Sequence, residues 1–372
     1  MRIAIVTNTA WNIFNFRLGL VRALQSQGYE VVLIAPDDSH TDRLRASGYN
    51  LYSINMDSRG VNPVKDAALT LEFYRLYKKL QLDLILHFTV KPNIYGTLAA
   101  SRLKIPVINN VCGLGTVFLQ QGVVSVVAKK LYQVSFRFAQ KVFFHNPDDY
   151  QLFIKERLLG EERADVVPGS GIDIQQFRPS EQNISESEIF TFLVISRLIY
   201  DKGIVEYVEA AKRLREEGVS VRFQLLGAKD PMHKRGIPVH LIDQWIQNGI
   251  VDYLGTTDDV RSVIQQADCV VLPSYREGLP RTLLEAASLH KPIVATDTPG
   301  CRHVVEHGVN GLLCRVQDAD DLAEKMLAVT QFSRKEMQEM GARGRKIVEA
   351  KFSQEVVVNK YIQVIEQMGL NE

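Results

Sequence analysis

No stretch of this sequence approaches the ~18–20 consecutive apolar residues of a spanning helix, so no helical membrane segment is expected. The opening "MRIAIVTNTAW" reads as a short strand without a long apolar region behind it. A secretory leader is therefore not expected, and a cytoplasmic location is. Cysteine is scarce. Cys112, Cys269, Cys301 and Cys314 form no C-x-x-C pair and no zinc-like spacing with histidine, so reduced thiols in cores are expected. Net charge is almost absent, at a formal +1, and no overall field points to nucleic acid. Glycine is missing from the first loop, "TNTAWNIFNFR", where a dinucleotide fingerprint would place G-x-G-x-x-G. That counts against a nicotinamide enzyme. Low-complexity tracts and short repeats are also missing.

What is present is ordinary in amount and ordered in pattern. The 372 residues are too many for one typical domain, and 46% hydrophobic content suffices for full cores. Apolar β-branched runs ("RIAIVT", "EVVLIA", "DLILHF", "PVINNV", "KVFFHN") alternate with helical patterns in the first half. The alternation restarts near residue 190 with "FTFLVIS", "VRFQLLG", "CVVLPS" and "PIVATD". Strands that are apolar throughout imply parallel sheets covered on both faces. The expected fold class is α/β, with two doubly wound Rossmann-like domains facing across a cleft. The boundaries expected are 1–167 and 168–352, with a linker in "VPGSGIDIQQFRPSEQNISESE" and a C-terminal helix, 353–370, packing back on the first domain. Residues 1–167 carry 20 Lys and Arg against 14 Asp and Glu. A basic first half suggests that it meets something anionic.

The second half holds the more informative motif, "PSYREGLPRTLLE". Glu277 and Gly278 follow a buried strand, and Pro280 suits the first position of the next helix. The amides of Arg281, Thr282 and Leu283 then open a helix terminus suited to a diphosphate. Glu285, over a turn further on, is placed to accept hydrogen bonds from vicinal hydroxyls, as a carboxylate does from ribose. A second loop, "SRLIYDKG", carries Arg197 and Lys202 beside another helix start. Two cations there oppose the helix dipole unless an anion binds. Solvated loop charges are the bland alternative for both loops. The one Asp-x-Asp, "DAD" at 318–320, reads as a helix N-cap rather than a metal site.

These motifs, with "HKPIVATDTPGCRHVVEHGVNGLLC" and the tandem α/β halves, resemble the retaining nucleotide-sugar glycosyltransferases of the GT-B fold, family 4. The resemblance covers nearly the whole chain. It implies that Arg197 and Lys202 neutralise the donor diphosphate and that Glu277 faces the transferred sugar. It implies that Glu285 holds the ribose and that main-chain groups from Gly278 through Leu279 and Pro280 to Leu283 contact sugar and phosphate. It implies no obligatory metal or other cofactor, with a UDP-sugar as donor substrate. Glu277 is not assigned as a nucleophile. The chain departs from many members in lacking a Gly-Gly pair after the first strand and a histidine near "NNVCGLG".

The N-terminal loops "NIFNFR", "KPNIYG" and "GLGTVFLQQG" look most like bacterial transferases that add N-acetylgalactosamine in α1,3 linkage to a polyprenyl-diphosphate-linked sugar. Asn15, Arg17, Lys91, Gly113 and Gly115 are the acceptor-site candidates on that basis. The segment 123–141 mixes Val, Leu, Tyr and Phe with Lys129, Lys130, Arg137 and Lys141. It suits the inner face of a membrane, or a surface helix packed on the sheet. Partners expected are the nucleotide-sugar donor, a glycan or polyprenyl-diphosphate-linked acceptor and a membrane surface, but no nucleic acid. An epimerase of the same fold, or a non-catalytic nucleotide-sugar-binding protein, remain alternatives.

Overall fold

The computed structural model describes residues 1–57, 60, 62–114, 122–179 and 189–370. The chain divides into two compact units, Met1–Gly171 with Gln354–Glu372, and Ile172–Ser353.

The first unit carries β1 (Arg2–Val6), β2 (Glu30–Ala35), β3 (Leu51–Ser53), β4 (Leu84–Phe88), β5 (Val107–Val111), β6 (Lys141–Phe144) and β7 (Ala164–Val166). They form one sheet in the order β3-β2-β1-β4-β5-β6-β7, with parallel pairing throughout. Alternate residues of β1 feed different cores. Ala4 and Val6 join one cluster, and Ile3 and Ile5 the other. That is the period-two geometry of a strand buried on both faces. The C-terminal helix Gln354–Gln367 closes the second of these cores with Val357, Val358, Tyr361, Val364 and Ile365. Each such apolar side chain contributes roughly 1.5–3 kcal/mol by burial.

The second unit carries β8 (Phe190–Ile195), β9 (Val221–Leu226), β10 (Asp252–Tyr253), β11 (Cys269–Leu272), β12 (Ile293–Thr296) and β13 (Gly311–Cys314). Their order is β10-β9-β8-β11-β12-β13, again all parallel. Ile172 and Phe177, from the stretch expected to be a linker, bury into this unit's core. Strand order reverses between β1 and β4 in one sheet and between β8 and β11 in the other. Loops leaving the carboxyl ends on either side of such a reversal part and leave a crevice, where ligands of these sheets bind.

Candidate active site

In the second unit the loops after β8 and β11 flank the reversal point. The first runs from Ser196 through a 3-10 turn, Tyr200–Lys202, into the helix Ile204–Glu216. The second runs from Pro273 to Leu279 and enters the helix Arg281–Ser288. The two loops are braced against each other. The Tyr275 amide donates to the Asp201 carbonyl at 2.9 Å. The Tyr275 hydroxyl donates to Glu206 Oε1 at 2.7 Å, and burial with that bond pushes its pKa up to about 12. Gly203, at φ +68°, lies so close to Pro273 that a Cβ would stand 2.0 Å from the Pro273 carbonyl oxygen. Gly300 does the same beneath the carbonyls of Glu277 and Gly278, each 2.7 Å from where its Cβ would be. The glycines therefore permit the approach that sets the loop positions.

That approach brings Lys202 onto Glu277, whose Oε1 accepts a hydrogen bond from its ammonium. Both side chains are largely covered. Arg197 leaves the same loop but is half exposed, with Asp230 3.7 Å away. The structure thus joins two of the predicted residues directly and leaves the third on a longer reach.

Pro280 is the cap rather than the first helical residue, at φ −74° and ψ 112°. Its extended ψ keeps it outside the helix, and its carbonyl takes the Leu283 amide at 3.1 Å. Leu283 is consequently no donor to a ligand through its main chain, and its side chain is fully buried. The amides of Arg281 and Thr282 lie ahead of that bond and open the terminus. Thr282 also ties this end to β8, its hydroxyl donating to the Ile195 carbonyl at 3.3 Å. Leu283, Leu284, Ala286 and Ala287 bury the helix against the sheet. Glu285 sits on this helix with little exposure and accepts from Arg281 Nε at 2.9 Å. Burial raises its pKa, and the Arg281 guanidinium opposes the rise. An ammonium, a guanidinium and a helix terminus at one sheet edge can hold a diphosphate, with one carboxylate on each side of it. The Asp318 side chain caps the helix Ala319–Thr330, accepting from the Asp321 amide at 2.9 Å.

The first unit distributes its candidates unevenly. Asn15 donates through its side chain to the Trp11 carbonyl at 3.0 Å, on the helix Ala10–Phe16. Lys91 forms a largely buried pair with Asp66 at 2.6 Å, and Tyr95 donates to the same carboxylate at 3.0 Å. Its charge is already neutralised. Gly113 follows β5 at φ +147°. Gly115 lies outside the described residues. Arg17 is buried, with its guanidinium carbon 4.0 Å from the Phe88 ring centroid. His87 is structural. It bonds Tyr77 at 2.9 Å and Asn109 at 3.0 Å, and burial lowers its pKa to about 3. The structure adds Gly203 and Gly300 as loop spacers, and Tyr275 as the brace, to the residues the sequence marks. The Thr298-Pro299-Gly300 turn was the available signal for Gly300.

Two Rossmann-like domains, one with a phosphate-suited loop pair at its reversal point, define a class of α/β proteins suited to a nucleoside-diphosphate ligand. Residues 189–331 match the family described as Glycosyl transferases group 1. Residues 2–146 match Glycosyl transferase 4-like. The chain is 32% identical, over 88% of its own length and 88% of the relative's, to the N,N'-diacetylbacillosaminyl-diphospho-undecaprenol alpha-1,3-N-acetylgalactosaminyltransferase of Campylobacter jejuni. It is 24% identical, over 82% of its length and 81% of the relative's, to the UDP-Gal:alpha-D-GlcNAc-diphosphoundecaprenol alpha-1,3-galactosyltransferase of Escherichia coli. Anabaena HepE in complex with UDP-glucose has the same fold, with a TM-score of 0.82 at 19% identity over 99% of this chain and 100% of that one. The chain belongs to the group 1, family 4-like glycosyltransferases.

Proposed function

We propose that this enzyme transfers an N-acetylhexosamine or hexose from a UDP-sugar to a polyprenyl-diphosphate-linked sugar, with retention at the anomeric carbon, in assembly of a bacterial surface glycan. The observation that carries this reading is Lys202 bonded to Glu277 beside the helix Arg281–Ser288. The lipid-diphosphate acceptors named for the Campylobacter and Escherichia relatives support the acceptor class. As the bond from the sugar carbon to the β-phosphate oxygen breaks, negative charge develops on that phosphate. Lys202, Arg197 and the helix terminus are suited to stabilise it without reorganising. The acceptor hydroxyl forms the new bond from the same face, and its proton passes to the departing phosphate. Glu277 orients the sugar, Glu285 grips the ribose, and Gly278 to Thr282 line the donor. In the first unit Arg17, Asn15 and the Gly113 turn face the acceptor. No step requires a divalent metal.

The enzyme works as a peripheral protein at the inner face of the membrane. No helix among the described residues is long and apolar enough to cross one. The helix Val123–Ser135 supports surface attachment, because it buries Ser125, Tyr132 and Ser135 while exposing Val126, Val127 and Val134. Lys130, Arg137 and the exposed Phe138 extend that face, and residues 122–141 contain no acid.

A thermal-shift screen of nucleotide sugars, followed by label transfer to a short polyprenyl-diphosphate sugar, tests the function. Stabilisation by UDP-sugars and label in the lipid fraction are expected. Binding without transfer would favour a non-catalytic protein, and conversion of the free nucleotide sugar would favour an epimerase.

A further inference from the structure

Among the described residues, the first unit contains a buried positive charge with no carboxylate partner. Arg17 is 3% exposed. Among the described residues its side chain meets the Phe88 ring and Cys112 Sγ, the latter at 3.5 Å, and its Nε is shielded and unpartnered. A guanidinium removed from water without a carboxylate is costly to the fold. An anion bound against it would offset that cost.

Two further orphans sit on the same sheet edge. Thr89 directly follows β4, and its hydroxyl is buried without a partner. Its φ is +74°, a region that a β-branched residue enters only under constraint. His145 directly follows β6, is buried, and has an unpartnered Nε2. Register places these positions side by side. Phe88 pairs with Asn110, Val111 pairs with Phe144, and the His145 amide donates to the Val111 carbonyl at 3.3 Å. Arg17 reaches across this row from Phe88 to Cys112. Its field also reaches His145.

We propose that Arg17, Thr89 and His145 form a phosphate subsite at the carboxyl edge of β4, β5 and β6, with Arg17 as its charged anchor. The occupant is a phosphate oxygen of the acceptor's diphosphate, and this part rests on the lipid-linked acceptor proposed above. Arg17 Nε and the Thr89 hydroxyl are donors, and the imidazole Nε2 is one in the matching tautomer. A guanidinium edge matches phosphate oxygens better than a point charge does. The subsite belongs to the first unit and the donor loops to the second.

The test uses the full chain saturated with UDP, so that the donor loops are filled. Inorganic pyrophosphate is then titrated while thermal unfolding is followed. A rise in melting temperature for the wild type, absent in Arg17→Met, is expected. No rise in the wild type overturns the subsite. A rise with glucuronate but not with pyrophosphate reassigns the anion to a sugar carboxylate and overturns the phosphate assignment. In turnover assays Arg17→Met is expected to raise KM for a polyprenyl-diphosphate sugar at least tenfold, with KM for the UDP-sugar within twofold. Equal changes in both would make Arg17 a purely structural residue. Should Arg17→Met fail to fold, Arg17→Lys keeps the charge but loses the fork, and an unchanged acceptor KM in it overturns the anchoring role. If the lipid-linked acceptor itself is wrong, transfer fails for the wild type while the pyrophosphate response persists.

Discussion

Lys202 and Glu277, 75 positions apart, are bonded to each other through their side chains, ammonium to carboxylate. The cation suited to the leaving phosphate is therefore held by the acid suited to the sugar. On the roles proposed above, donor binding exchanges this contact for two new ones, Lys202 with phosphate and Glu277 with sugar hydroxyls. Glu277→Ala removes the sugar contact but releases Lys202. Turnover is expected to fall about 10²–10³-fold, a loss typical of one preorganised polar group. Affinity for UDP should be unchanged or higher. Initial rates and calorimetry check both, and wild-type turnover in this variant would remove Glu277 from the chemistry.

Glu285 is raised in pKa by burial, with Arg281 opposing the shift. Protonation therefore begins at less acidic pH than for an ordinary glutamate. The protonated form loses acceptor capacity for the proposed ribose contact, so UDP affinity is expected to weaken as pH falls. Glu285→Ala should weaken UDP about 10–100-fold, the loss of one to two charge-assisted hydrogen bonds. Its remaining affinity should lose most of the acid dependence. Calorimetry between pH 8 and pH 5 measures both, and equal affinities for variant and wild type would free Glu285 of this role.

Val127 and Val134 are exposed on a helix whose buried side carries Ser125 and Ser135. Replacing both valines with aspartate puts charge into the stripe proposed to face lipid, without disturbing packed residues. Co-sedimentation with vesicles containing anionic phospholipid should fall at least tenfold, and wild-type binding should weaken with salt. Unaltered co-sedimentation of the double variant would move the contact elsewhere.

The alternation of apolar strands and helical patterns made the fold class readable, because parallel sheets demand strands buried on both faces. The Glu277 and Glu285 spacing was readable for a similar reason, since both belong to one loop and one helix. Contacts between distant segments were less readable. Lys91 reads as available in the sequence, but its partner, Asp66, lies 25 positions earlier. Arg17 looked like a polar group at a loop mouth, yet Phe88 and Cys112 cover it. Pro280 missed its expected place by one residue. Proline fixes φ but leaves ψ to the surroundings, and ψ decides between cap and first turn.

Gly203 and Gly28 separate backbone strain from crowding. Both have left-handed φ, +68° and +83°. An added Cβ at Gly28 meets nothing within 4 Å, whereas at Gly203 it stands 2.0 Å from the Pro273 carbonyl oxygen. Gly28→Ala should cost about 1–2 kcal/mol of stability from strain alone. Gly203→Ala should cost more and should reduce turnover by displacing Lys202 from the β11 loop. Urea unfolding and initial rates compare them. Equal costs with full activity would show that the loop yields easily and that its position is not set by this approach.

His87 and His145 give the first unit a built-in acid sensitivity. Burial lowers both pKa values to about 3, and the Arg17 charge adds to the effect at His145. In the unfolded chain both return to about 6.5. Between these values the unfolded state binds up to two more protons than the folded one, so stability falls as pH drops below about 6.5. Each imidazole contributes up to about 1.4 kcal/mol per pH unit across that window. The urea midpoint is therefore expected to decline from pH 7 to pH 5, before most carboxylates titrate. His145→Phe removes one of the two groups and should halve the part of that slope the pair supplies, even if it lowers stability at pH 7. An unaltered slope would mean that His145 takes up its proton in the folded state at ordinary pH, against its burial beside Arg17.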